Sequence, residues 1–164
     1  KNKTEIDKQK EKIETIDGEI VKKKKMNYKI IGKYIKHLNF NIPNPKTFFL
    51  LSKDIANYKI NIEIKSNQVK QNIVEVLTSL NLSPTKNDFD KIDTKIVYAT
   101  IIELSNDKLE KKEIEKIILI DVPNKIYSEL RNIFVHLFEK SGFKDIKISE
   151  SVNFEKLYQA RNFQ

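Results

Sequence analysis

The residues that could carry bond chemistry are few in this chain, and their spacing does not assemble them. His37 and His136 are its two histidines, the side chains best suited to proton transfer near neutral pH. His136 falls on the polar side of a helical pattern, opposite the apolar residues. His37 alternates outward with Asn39 and Asn41 along a strand pattern. Neither stands beside the serine-plus-acid or cysteine partner that an activated nucleophile needs. The three glycines, Gly18, Gly32 and Gly142, are too scattered to cradle a phosphate. Asp88, Asp90 and Asp93 follow Pro84 and Asn87 in a turn-rich stretch, where carboxylates serve turn formation. Cysteine is absent, which excludes a disulfide framework and a thiolate metal site. No catalytic residue, metal site or cofactor is therefore expected, and the chain reads as non-enzymatic.

What is left to act is apolar surface. The segment Lys46 to Asn57 lies between two strand patterns and reads as a connection, yet it carries Phe48, Phe49, Leu50 and Leu51 in a row. Apolar runs in connections are unusual. Two readings stay open: the residues tuck under a sheet as core, or they line a groove that grips other chains through non-directional contacts.

The elements that would position this surface follow from hydrophobic period. From Tyr34 the chain alternates, with Tyr34, Lys36, Leu38, Phe40 and Ile42 on one side and Ile35, His37, Asn39 and Asn41 on the other. Pro43 and Pro45 end that strand, because proline cannot donate to a ladder. Three more strands follow. Tyr58, Ile60, Ile62 and Ile64 alternate with polar residues; Val74, Val76, Thr78, Leu80 and Leu82 repeat the pattern; and Lys95 to Leu104 is apolar on both faces, as a central strand would be. Short links favour antiparallel pairing of neighbours. Asn106 to Ile118 fits either helical turns or a strand edge. After Asp121 and Pro123, placed as an N-cap and first turn, Ile126, Tyr127, Leu130, Ile133, Phe134, Leu137 and Phe138 recur at helical spacing, with Gly142 where a terminating glycine belongs. Ser151 to Arg161 reads as a last helix with Phe154, Leu157 and Tyr158 on one side. The fold class is α+β: a four-stranded antiparallel sheet with a long helix and a C-terminal helix packed on one face.

Residues 1 to 26 differ from the domain at 27–164. Ile6, Ile13, Ile16 and Ile20 form a weak helical stripe interrupted by Gly18, and Lys22 to Lys25 is a run of like charge. They read as a charged arm, flexible or helical, solvated or used to bind a partner. The chain opens on Lys1 and has Met26 as its only methionine, so a natural start downstream of the arm also fits.

The formal charge of +8 invites a nucleic-acid reading. Against it, only Arg131 and Arg161 among 31 basic residues are arginine, the residue that base and bidentate phosphate contacts favour. No nucleic-acid partner is expected; a basic nucleic-acid-binding module is the alternative, and it would bind with steep salt dependence. No apolar run approaches a membrane span, and no secretory h-region is present, so no membrane insertion and a cytoplasmic location are expected.

The ordered set of segments resembles the SecB family of export chaperones. Tyr34 to Pro45 stands for a first strand with an aromatic and proline ending. Lys46 to Asn57 stands for a long crossover, followed by three strands. Pro123 to Lys140 stands for the long helix, Gly142-Phe143 for a Gly-Phe turn, and Val152-Asn153-Phe154 for the opening of the terminal helix. The resemblance implies a homotetramer, a dimer of dimers, that holds unfolded or presecretory polypeptides and delivers them to the Sec translocase. It implies a peptide-binding groove between the crossover, the second strand and the terminal helix, built from Phe48, Phe49, Tyr58, Ile60, Ile62, Phe154, Leu157 and Tyr158. It also implies docking to the SecA motor through the exposed sheet face. The positions matching the family's docking carboxylates are His37, Asn41 and Lys95, none of them acidic, so attraction to a basic motor surface is lost there. A SecB-like chaperone dedicated to one partner, such as an antitoxin, is the second functional reading.

Overall fold

A computed structural model describes residues 14–16, 19–21, 26–54, 58–85, 92–105, 108–143 and 146–162. In the arm, β1 (Glu14–Ile16) and β2 (Glu19–Val21) pair antiparallel, Ile16 opposite Glu19. Strand pairing here replaces the helix that the isoleucine spacing suggested. The remainder of residues 1–25 lies outside the described residues.

The main sheet contains β3 (Tyr28–Asn41), β4 (Tyr58–Lys70), β5 (Ile73–Pro84) and β6 (Asp93–Leu104). Their order is β3-β6-β5-β4, with every pair antiparallel. The short links give neighbouring pairs, as expected. The long connection instead carries β3 to the far edge, beside β6. Both β3 and β4 are thus edge strands, each with one side unpaired among the described residues. The doubly apolar β6 is interior, as its sequence indicated.

The strand pattern of β3 needs correction. Register shifts lie between Ile30 and Gly32 and between Ile35 and His37. Each extra residue of a bulge reverses the alternation. Tyr34 therefore shares a face with His37 and Asn39, while Ile35 pairs with Tyr98 on the helix-covered face, where Leu38 and Phe40 also lie. A strict period of two cannot reveal a bulge.

The connection is helical. Pro45–Asp54 forms α1, which the reading of Lys46 to Asn57 as a plain connection did not contain. Asn44 starts it: its Oδ1 accepts the Thr47 backbone N–H at 2.8 Å and the Thr47 hydroxyl at 3.1 Å. Pro45 then occupies the first helical position, where its missing donor costs nothing. Asn44-Pro45 was the available signal.

The ambiguous stretch resolves into helix too. α2 (Lys111–Lys116) begins where the Glu113 carboxylate accepts the Glu110 N–H at 3.0 Å. The chain continues through a π-helical segment, Ile117–Asp121, directly into α3 (Val122–Lys140). Asp121 is therefore not a helix start; its backbone is helical and its side chain caps nothing. Pro123 explains the π geometry. Lacking an N–H, it cannot close the rung to Leu119, and the preceding residue, Val122, donates to Ile117, five residues back.

The end of α3 matches the glycine signal. Gly142 has φ of 94°; its N–H donates to Glu139, and the Phe143 N–H donates to Phe138. The Phe143 ring then packs on Phe138 at 5.6 Å, completing a Schellman motif. Gly142→Ala is expected to cost about 1–2 kcal/mol, because a Cβ is strained at positive φ. Urea denaturation of the variant checks this.

α3 lies across β5 and β6, and its buried stripe, Ile126, Tyr127, Leu130, Phe134 and Phe138, meets Val76, Leu80, Ile96 and Ile102 in the core. From the sheet side, Tyr98 donates to Glu129 at 2.8 Å and Lys33 to the same carboxylate at 2.7 Å. Lys33 and then Tyr98 hold the Glu129 carboxyl below its usual pKa, while burial first, then Glu129, pushes the Tyr98 phenol up to about 12.

Candidate functional site

The last helix, α4 (Phe154–Asn162), is set by two devices. Asn153 accepts the Lys156 N–H at 2.9 Å as an N-cap. Phe154, 1% exposed, plugs into the core beside Tyr127 at 6.0 Å between ring centres. The Val152-Asn153-Phe154 motif is thus a cap plus an anchor. The segment before it is strapped to α3. Arg131 donates two N–H groups to the Ile148 carbonyl, at 2.9 and 3.1 Å, and the Tyr127 hydroxyl donates to the Ser149 carbonyl at 2.7 Å. The guanidinium fork suits this shared acceptor.

These constraints leave α4 standing apart from the edge strand β4, and a groove opens between them. One part encloses about 290 Å³, between Ile62, Ile64 and Lys65 on β4, Leu119 of the π-helical segment, and Leu157 and Tyr158 on α4. It runs on into a second part of about 530 Å³, where Ser66, Asn67, Glu115 and Ile118 join Leu119 and Tyr158. The lining mixes apolar side chains, Ile62, Ile64, Ile118, Leu119 and Leu157, with polar ones. Glu63, Lys65, Glu115 and Arg161 supply polar groups along it. The unpaired side of β4 runs along one wall.

The sequence-selected residues divide into three groups. Ile62, Leu157 and Tyr158 line the groove, and half of the Leu157 surface is open to solvent. Tyr58 and Ile60 lie apart from it, around a separate small cavity shared with Leu82, Phe134, Phe138, Ile146 and Ile148; Tyr58 is buried, as is Phe154. Phe48 and Phe49 form a separate patch. Phe48 stacks at 4.8 Å on Phe143 and meets Phe49 at 5.6 Å, and Phe49 is 60% exposed. The core reading holds for Leu51 and half-buried Phe48, while Phe49 is exposed and lies outside the groove between β4 and α4. Ile64, Leu119 and Ile118 were missed. The available signal was the unbroken run Ile117 to Ile120, too long to face one side of a helix.

His37 and Asn41 are exposed on the face of the sheet turned away from α3, and half-buried Lys95 lies on neighbouring β6. On that same face Glu75, only 8% exposed, accepts from Lys36 at 2.8 and 2.9 Å, from Tyr34 at 2.5 Å and from Asn67 at 3.2 Å. These bonds, led by Lys36 and then Tyr34, pull its carboxyl from 4.5 down to about 2. A lowered native pKa favours the folded state wherever the unfolded group would be ionised. That stabilisation is complete above pH about 4.5 and is lost as pH falls towards 2. Glu75→Gln should flatten the stability profile in that window, as read by urea denaturation between pH 2 and 6. An unchanged slope would contradict the assignment.

Among the described residues, no helix is long and apolar enough to cross a membrane. Residues 21–164 match the family described as "Preprotein translocase subunit SecB". A putative protein-export protein SecB from Pelagibacter ubique (strain HTCC1062) is 42% identical over 135 residues, covering 82% of this chain and 96% of that protein. The protein-export protein SecB of Orientia tsutsugamushi (strain Boryong) is 31% identical over 71% of this chain and 72% of its own length. Among solved structures, the SecB-like chaperone of Mycobacterium tuberculosis, in complex with a ChAD peptide from an antitoxin, aligns with a TM-score of 0.57. That alignment covers 77% of this chain and 88% of the other at 11% identity, a likeness of fold. The helix-backed antiparallel sheet that the sequence foretold is thus a SecB fold, and the chain belongs to the SecB family of protein-export chaperones.

Proposed function

We propose that this chaperone holds unfolded, export-bound polypeptides in the groove between β4, the π-helical segment and α4, without bond chemistry. One observation carries the reading: an open groove with apolar side chains along it runs beside a strand edge that has no sheet partner among the described residues. An unfolded chain presents main-chain donors and acceptors together with apolar side chains. The edge of β4 answers the first by strand addition, and Ile62, Leu157 and Tyr158 answer the second. Tyr58 and Phe154 are buried, so they would act by holding β4 and α4 in place rather than by touching a client. Phe48 and Phe49 offer a second apolar contact for a long client, and several weak contacts along one chain raise avidity.

Assembly fits the other edge. Ile31, Tyr34, Ile35 and Leu38 of β3 are each 43–46% exposed beside an unpaired strand side. Such a surface favours pairing with a second copy, and a dimer of dimers would carry several grooves for one client. Delivery to the SecA motor through His37, Asn41 and Lys95 would proceed without carboxylate attraction. The compartment of such work is the cytoplasm. The experiment is aggregation of a reduced, unfolded client followed by light scattering. Stoichiometric chaperone is expected to suppress it without nucleotide; undiminished aggregation would overturn the proposal.

A further inference from the structure

We propose that the π-helical turn is itself a client-contact element, with Leu119 as the residue that receives a bulky apolar client side chain and Ile118 beside it. The inference rests on the groove reading above and adds a contact outside the strands, the crossover and the terminal helix.

Four apolar residues in a row, Ile117 to Ile120, cannot all face one core from a helix that advances about 100° per residue. The structure distributes them. Ile117 is 4% exposed and belongs to the core. Ile120 turns to a separate cleft lined by Met26, Tyr28 and Lys125. Ile118 and Leu119 turn to the groove, and Leu119 lines both of its parts. The segment packs against both α4 and β4, so it joins the two walls.

Pro123 fixes this placement. Its missing donor leaves the ordinary rung to Leu119 open, and the ladder skips to the bond from Val122 to Ile117. A π turn holds one more residue than an α turn. Removing that residue would rotate the preceding side chains by about 100°, turning Leu119 off the groove floor. Ile62, Leu157 and the Tyr158 ring share that part of the groove with Glu63, Lys65 and Arg161, so it suits an aliphatic or aromatic client side chain flanked by polar groups.

The absence of native cysteine makes a direct test possible. Leu119→Cys introduces a unique thiol at a half-buried position, and Lys29→Cys places one on β3, at the opposite edge of the sheet. Each variant is saturated with a permanently unfolded probe, reduced and carboxymethylated α-lactalbumin. Modification by a thiol reagent is then timed, with binding followed by anisotropy of a labelled probe. Bound probe is expected to slow modification at position 119 at least ~10-fold and to leave position 29 unchanged, the size of effect expected when a contact excludes solvent. A probe that binds while position 119 reacts at its free rate overturns this inference alone. Failure of the unmodified protein to bind the probe overturns the groove reading with it.

Discussion

Leu157→Glu should weaken binding of an unfolded client by ~30-fold, about 2 kcal/mol, the scale of an interface hot spot. Leu157 is half open at the groove wall, so it is available for contact rather than spent on the core. A carboxylate there, even beside Arg161, must shed water to accept an apolar client side chain, which is unfavourable. The fold should tolerate the change. The new acid stands four residues before Arg161 on the same helix, a spacing that favours an ion pair on α4. Leu157→Ala should lose only about 1 kcal/mol, the transfer value of the methylenes removed. Fluorescence anisotropy with the unfolded probe measures both, and equal affinity for all three proteins would show that the client lies elsewhere.

Arg131→Ala should be the most damaging of the polar substitutions. The side chain closes two bonds on the Ile148 carbonyl and so fixes the segment that delivers Phe154 to its socket. Hydrogen bonds from a charged donor contribute about 1.5–3 kcal/mol, and here an acceptor is also left unpaired. A loss of about 2–3 kcal/mol in urea denaturation is expected. Because α4 is one wall of the groove, client affinity should fall with it. Arg131→Lys should recover only part, since an ammonium cannot present the planar fork. Full recovery by lysine would mean that charge alone matters at this position.

Much of the fold was legible in the sequence because it is written in periods. Ile60, Ile62 and Ile64 alternate cleanly, Ile126 to Phe138 recur at helical spacing, and Gly142 sits where a left-handed residue is required. What escaped was local and depended on partners. The bulges of β3 reverse its faces without altering composition. The helical crossover was hidden behind prolines read as strand terminators, although Asn44-Pro45 is also a helix start. The π turn needs both Pro123 and a helix already running from α2, and only the second was in doubt. At the groove, Ile62, Leu157 and Tyr158 could be chosen because the family resemblance points to the second strand and the terminal helix, and they lie on the apolar stripes of those two elements. Leu119 could not, because its direction is set by a hydrogen bond that skips one residue.

The central claim is that an extended client lies along the free edge of β4. Hydrogen exchange with and without the unfolded probe tests it most directly. The N–H groups of β4 that face away from β5 should become protected together with the groove face of α4. Protection confined to the sheet face around His37 and Asn41, with β4 exchanging at its free rate while the probe is bound, would contradict the account.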